Sequence, residues 1–322
     1  MEQREKFFWA MMGLMGVFLA VLGLMEAAKV DFSARQTEGR RKLGAVYMTL
    51  NNPFYEVVDE EIRTAVENRG DVLISRDPAL SVERQNEEIE ELIADGVKLI
   101  FINPVDWQKS STAIEKAWRA GVPVIAIDTN VENDEHVAST VVSDNYLAGQ
   151  QCAHHLIAHR QSGRVALLTH SQARSAQERI QGFLDVLADN PGFEVVASEE
   201  CRGQLEIAMP VMEEMIRRHP EIDVVMALND PAAMGAMAAL RQTGRLPGVA
   251  VYGVDGVTET KDMIKSGHMQ ATAGQSPRMI GRLAVEQAYR VLEGQQPEKL
   301  VKLPTFLITS ENVANLEQGG WE

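Results

Sequence analysis

Amide and carboxylate side chains recur just beyond apolar, β-prone runs in this sequence. Asn51 and Asn52 follow one such run, Asn103 and Asp106 another, and Asp128 closes a third; Asn229 and Asp230, Asp255, and Gln275 repeat the arrangement further on. A single Asn or Asp in that place ordinarily caps the helix that follows. Several of one chemical kind favour a shared site. Asn, Gln, Asp and Arg carry planar donor and acceptor groups that can each engage two hydroxyls. Phe54 and Tyr55, close behind Asn52, add flat apolar faces suited to the C–H face of a pyranose or furanose ring. A ligand dense in hydroxyls needs that combination, because each polar group buried with it must find a partner. A lipid or an apolar drug does not.

The apolar runs alternate with helical segments. Strands are predicted over 44–50, 71–75, 98–103, 123–128 and 137–142, with helices over 53–68, 82–94 and 110–120 between them. The second half repeats the alternation, with strands over 164–169, 194–198, 223–228, 250–254 and 269–274 and a last one over 304–308. Its helices are expected over 176–188, 205–219, 231–243, 258–266 and 277–293. Strands separated by helices of this length mean βαβ crossovers and parallel sheets, whose ligand crevice lies outside the carboxyl ends of the strands. So many strands overfill one helix-flanked sheet, and the pattern halves near Ser143. The expected fold class is therefore α/β, with two doubly wound parallel-sheet lobes.

Residues 7–25 form an unbroken, uncharged apolar run. As a helix they would span about 28 Å, close to the hydrocarbon thickness of a bilayer, and a soluble helix is not apolar on every face. Residues 1–6 then read as a cytoplasmic stub and 26–42 as a polar tether. Arg4 and Lys6 suit either a removable signal or a retained transmembrane anchor. The length of the run and the poor cleavage residues at Met25-Glu26-Ala27 favour the anchor. Lys29, Arg35, Arg40, Arg41 and Lys42 follow the run and, taken alone, would hold the main body in the cytoplasm.

The chain of 322 residues exceeds one ordinary core, and its 45% hydrophobic and 24% charged residues are those of a folded protein. A formal charge of −15 argues against a nucleic-acid surface, and nothing before residue 43 resembles a helix-turn-helix. Cys152 and Cys201 lack metal-ligand spacing; they read as buried apolar residues, with a disulfide open to them in an oxidising compartment. His154, His155 and His159 fall on one predicted helix without the acidic residue of the His-Glu-x-x-His pattern, so a solvated face is expected rather than a metal site. The methionines outside the apolar run read as core filling. No residue pattern calls for a cofactor. Asp128 and Asp255 could form an acid/base pair for glycoside hydrolysis, but their amide-rich surroundings suit acceptors of hydroxyl groups better, which makes a binding protein rather than an enzyme.

Several motifs occur in order: Leu50-Asn51-Asn52-Pro53-Phe54-Tyr55, Ile102-Asn103-Pro104, Ile125-Ala126-Ile127-Asp128, Ser143-Asp144-Asn145, Ser175-Ala176-Gln177-Glu178-Arg179, Leu228-Asn229-Asp230, Gly253-Val254-Asp255-Gly256 and Gln275-Ser276-Pro277. With them the chain resembles the ribose-binding group of periplasmic sugar-binding proteins, over roughly residues 43–310. The resemblance implies a hinge of three crossings between an N-terminal lobe, 43–143 plus 276–306, and a C-terminal lobe, 144–275 plus 307–322. It implies an extracytoplasmic location, held to the cytoplasmic membrane by the N-terminal helix, against the bias of the basic residues after the run. By resemblance Asn52 would bond at the first lobe's rim, with Phe54 and Tyr55 flanking the ring. Asp128 and Arg179 would bond hydroxyls from opposite lobes, Asn229 and Asp255 would form the second lobe's floor, and Gln275 would bond from the hinge. Thr129 stands where the ribose group commonly has an Arg, and Gly203 falls on an aromatic position, so a different pentose, a hexose or a related polyol is as well suited as ribose. The implied function is to close on a monosaccharide and present it to the permease of an ABC importer. The alternative is a membrane-anchored, sugar-sensing co-receptor for a sensor histidine kinase.

Overall fold

Short β-branched runs form the strands wherever helices cover both faces of a sheet. The first sheet is built from β1 (Lys42–Val46), β2 (Val72–Arg76), β3 (Ile100–Ile102), β4 (Val124–Ile127) and β5 (Val137–Ser143), connected by α1 (Pro53–Glu67), α2 (Val82–Ala94) and α3 (Ser111–Arg119). The chain continues through α4 (Asn145–His159), β6 (Gly163–Thr169), α5 (Arg174–Ala188), β7 (Phe193–Glu200), α6 (Leu205–Arg218), β8 (Val224–Ala227), α7 (Asp230–Gln242), β9 (Ala250–Asp255), α8 (Thr258–Lys265) and β10 (Ala271–Gly274). It closes with α9 (Pro277–Leu292), β11 (Leu300–Leu303) and β12 (Phe306–Thr309). The structure, a computed structural model, describes residues 39–316. The expected stub and anchor and most of the tether lie outside the described residues. Among the described residues no helix is long and apolar enough to cross a membrane.

The strand orders are β11-β5-β4-β3-β1-β2 and β12-β10-β9-β8-β6-β7, so the two lobes are doubly wound in the same way. β3, β4 and β8 are buried along their whole length, which explains their uninterrupted apolar sequences. Among the described residues the single departure from parallel pairing is β12, which runs antiparallel to β10. The last predicted strand divides differently from expectation. β11 was not anticipated, because an edge strand that alternates exposed and half-buried residues carries little apolar signal, and Pro304 separates it from β12.

β11 pairs with β5 of the first sheet and β12 with β10 of the second. The chain therefore crosses between lobes three times: around Asp144, between β10 and α9, and between β11 and β12. α9 belongs with the first lobe, where Arg278 and Arg282 reach Glu61 at 3.2 and 2.7 Å and the Tyr289 hydroxyl donates to Asp71 at 2.6 Å. The last crossing is braced from α4, since Gln151 Nε2 donates to the Thr305 carbonyl at 2.9 Å and its Oε1 accepts from Thr305 Oγ1 at 3.0 Å. Cys152 and Cys201 are buried and not bonded to one another, and burial pushes both thiols up to about 12. His155 stacks on His159 with 4.1 Å between ring centroids and shares a hydrogen bond with the Tyr252 hydroxyl at 3.1 Å.

Two glycines let α4 and α5 meet backbone to backbone. A Cβ on Gly149 would lie 1.9 Å from the Arg179 carbonyl oxygen, and one on Gly182 would lie 2.1 Å from the Tyr146 carbonyl oxygen. Backbone cannot yield as a flexible side-chain tip can. Gly149→Ala should therefore cost at least the upper part of the overpacking range, about 1–3 kcal/mol. Urea unfolding of the variant, with an unchanged midpoint as the contrary result, checks this.

Candidate functional site

In both sheets the strand order reverses next to a central strand, between β1 and β3 and between β6 and β8. Chain leaving carboxyl ends at such points is where α/β sheets form ligand crevices. Asp128 follows β4 directly and Asp255 ends β9; their φ angles are +65° and +134°, strained values for residues other than glycine. Asp128 Oδ2 accepts from the Tyr55 hydroxyl at 3.0 Å and from Asn103 Nδ2 at 3.4 Å. Its other oxygen makes no hydrogen bond and faces Arg179 Nη2 at 3.9 Å. Arg179 comes from α5 in the other lobe. Its Nε donates to Asn145 Oδ1 at 2.8 Å and its Nη1 to the Leu228 carbonyl at 3.0 Å. The same Nη1 stands 3.6 Å from Asp255 Oδ1, which also accepts from Gln275 Nε2 at 2.7 Å. Tyr55, Asp128, Arg179, Asp255 and Gln275 thus form one buried polar chain across the lobe boundary.

Burial pushes the carboxyl groups of both Asp128 and Asp255 upward, and Arg179 opposes the shift in each. Asp255 is pushed further by the neighbouring Asp230 and Asp128 carboxylates. Asp230 itself is not part of the cleft. Its oxygens accept from the amides of Gly256 and Val257 at 2.8 and 2.9 Å and from the hydroxyls of Thr260 and Thr272 at 2.6 and 2.7 Å. It holds the turn after β9 in place.

These groups line a small pocket between the closed lobes. Of the residues expected from sequence, Asn52, Phe54, Tyr55, Asp128, Arg179, Asn229 and Asp255 line it. Phe54 and Tyr55 meet edge to face at 5.5 Å. Asn52 and Asn229 also cap helices, accepting from the amides of Phe54 and Ala232 at 3.0 Å each, so the capping and site readings hold together. Thr129 and Gln275 are not in the wall. Thr129 Oγ1 accepts from the Ser175 amide at 2.9 Å and joins the lobes, while Gln275 stands beside Asp255 as its hydrogen-bond donor. The wall also contains Met48, His170, Arg202 and Gln204, which sequence reasoning missed. They sit in loops after strands, and no periodicity marks them. Asn103 supports Asp128 from behind, and Asn51 lies at the rim, where its Nδ2 reaches Gln204 and Glu206 at 3.2 and 3.1 Å. Arg202 Nη2 donates to the Leu80 carbonyl at 2.7 Å and the Trp107 amide to the Gln172 carbonyl at 3.0 Å, so the lobes are closed on each other.

The family model described as periplasmic binding protein domain matches residues 43–296. The chain belongs to this family. It is 34% identical over 84% of its length to the ribose import binding protein of Bacillus subtilis (strain 168), covering 87% of that protein. It is 29% identical to the D-apiose import binding protein of Paraburkholderia graminis, with 92% of this chain and 96% of that one covered. Among solved structures, the Caulobacter myo-inositol binding protein, bound to myo-inositol, superimposes with a TM-score of 0.80 at 27% identity, covering 86% of this chain and 96% of that one. Membership in a periplasmic binding protein family makes the chain a binding protein and not an enzyme.

The carboxyl shifts set a sign for pH dependence. Asp128 and Asp255 hold protons more tightly in the closed, folded protein than when hydrated, where a carboxyl ionises near pH 4. Their contribution to stability is therefore present below that value and lost as pH rises above it toward their folded values. Sugar-free wild type should lose more melting temperature between about pH 4 and neutrality than an Asp128→Asn, Asp255→Asn double variant. Parallel melting curves for the two proteins across that window would refute the assignment.

Proposed function

We propose that this protein is an extracytoplasmic sugar-binding protein whose two lobes close on a monosaccharide or related polyol. The closed form delivers the sugar to the permease of an ABC importer. The observation that carries the reading is the buried chain from Tyr55 through Asp128, Arg179 and Asp255, because its members come from both lobes. A ring touching both lobes favours the closed form over the open one, and only such differential affinity can drive closure. Asp128 retains an oxygen without a hydrogen bond, a place for a hydroxyl donor. The Phe54 and Tyr55 rings supply the apolar face that the C–H side of a sugar requires.

The relatives support the class of ligand. Ribose, D-apiose and myo-inositol stand in the names of three proteins this chain resembles, and two of those names describe import. The import reading therefore replaces the sensor co-receptor as the working function. The periplasmic family favours an extracytoplasmic setting over the cytoplasmic one suggested by the basic residues after the apolar run.

A thermal-shift screen of monosaccharides and polyols identifies the ligand, and calorimetry then tests the site. Arg179→Ala leaves two buried carboxylates without their cation, so it should weaken binding by about 2–5 kcal/mol in a protein that still melts cooperatively. Wild-type affinity in a folded Arg179→Ala variant would remove the central member of the site.

A further inference from the structure

The cleft has two chemically different ends. At one, Arg179 stands between Asp128 and Asp255, and its positive charge is answered by protein carboxylates. At the other, His170 and Arg202 line the cavity beside Gly203. His170 is 3% exposed, and its Nε2 has no hydrogen-bond partner among the described residues. The buried Nε of Arg202 likewise lacks one, while its Nη2 donates to the Leu80 carbonyl. A neutral carbonyl does not answer a guanidinium charge, and Arg202 forms no ion pair among the described residues. Arg202 is half-buried, and a partly desolvated cation without an anion is costly unless the ligand provides one.

The backbone at this end is tightly constrained. Arg202 and Gly203 are both left-handed, with φ of +54° and +67°. A non-glycine residue in that region is uncommon and persists where the surroundings hold it. A Cβ on residue 203 would lie 2.9 Å from Asn229 Nδ2. Glycine at 203 thereby lets the Asn229 amide approach the backbone beside these two groups.

We propose that the ligand is a sugar acid, whose hydroxyls meet Asp128, Arg179 and Asp255 while its carboxylate is received by Arg202 and His170. This rests on the binding function proposed above and narrows the ligand within it. Arg matches a carboxylate through its forked donors, and the neutral imidazole adds one more N–H. Burial pushes His170 down to about 4, so it acts as a neutral donor near pH 7.

The test is calorimetry of the full chain with matched pairs, a hexuronate against its neutral hexose and a pentonate against its neutral pentose. At least one acid should bind about tenfold or more tightly than its neutral partner. Arg202→Met should reduce that ratio by about tenfold, and His170→Leu should reduce it in the same direction, with cooperative melting of each variant confirming its fold. A neutral sugar that binds more tightly than every acid overturns the proposal. So does an Arg202→Met variant that weakens acid and neutral sugars equally, which would make Arg202 only a latch to Leu80. If neither acids nor neutral sugars bind the wild type, the failure lies with the sugar-binding function itself.

Discussion

One guanidinium organises the centre of this molecule. Arg179 enters from the second lobe and stands 3.9 Å from Asp128 of the first lobe and 3.6 Å from Asp255 of its own. Two carboxylates and one cation cannot all be buried at low cost, because their mutual attraction must offset the loss of water from three charges. The raised carboxyl values express that imbalance. A closed cleft without ligand is thus electrostatically unsatisfied. Hydroxyl groups are suited to relieve it, since they donate to carboxylate and accept from guanidinium without adding charge. The same argument explains why Asp230, equally buried, takes no part. Four donors already saturate it.

Holding Arg179 in that place makes demands on distant parts of the chain. Its Nε is fixed by Asn145, the first residue of α4, and its own carbonyl oxygen sits where a side chain on Gly149 would be. α4 also carries Gln151, which ties down the last crossing between lobes at Thr305. One helix thereby links a hinge crossing to the charge at the centre of the cleft. A shift of α4 when the lobes rotate would move Arg179 with it, so hinge position and site geometry are mechanically coupled.

How much of this was legible in the sequence depended on where each residue sits. Asp128 and Asp255 end apolar strands, and an acidic residue closing such a run is visible at once. Both sheets and most helix positions followed from the alternation of apolar runs with amphipathic segments. Arg179 lies within the second turn of α5, where an arginine looks like any solvated helix position, and only a family resemblance singled it out. Thr129 was carried over for the same reason, yet its side chain went to the Ser175 amide, because the left-handed turn at Asp128 redirects the residue after it. His170 and Arg202 sit in loops whose direction is set by tertiary contacts and positive φ angles. β11 was hidden by its polar edge. Residues that close an apolar run were readable; residues further along a loop were not.

The contacts around the rim say what the closed form is made of when no sugar is counted. Asn51 with Gln204 and Glu206, Arg202 with Leu80, and Trp107 with Gln172 join the lobes through single hydrogen bonds near solvent. Bonds of that kind contribute about 0.5–1.5 kcal/mol each at most, since water competes for the same groups. Against them stands the desolvation of Asp128, Arg179 and Asp255 at the centre, which costs several kcal/mol per ion before pairing. The rim and the core therefore oppose each other, and neither term is large enough to decide the equilibrium alone. A ligand that satisfies the core therefore shifts the balance toward the closed form.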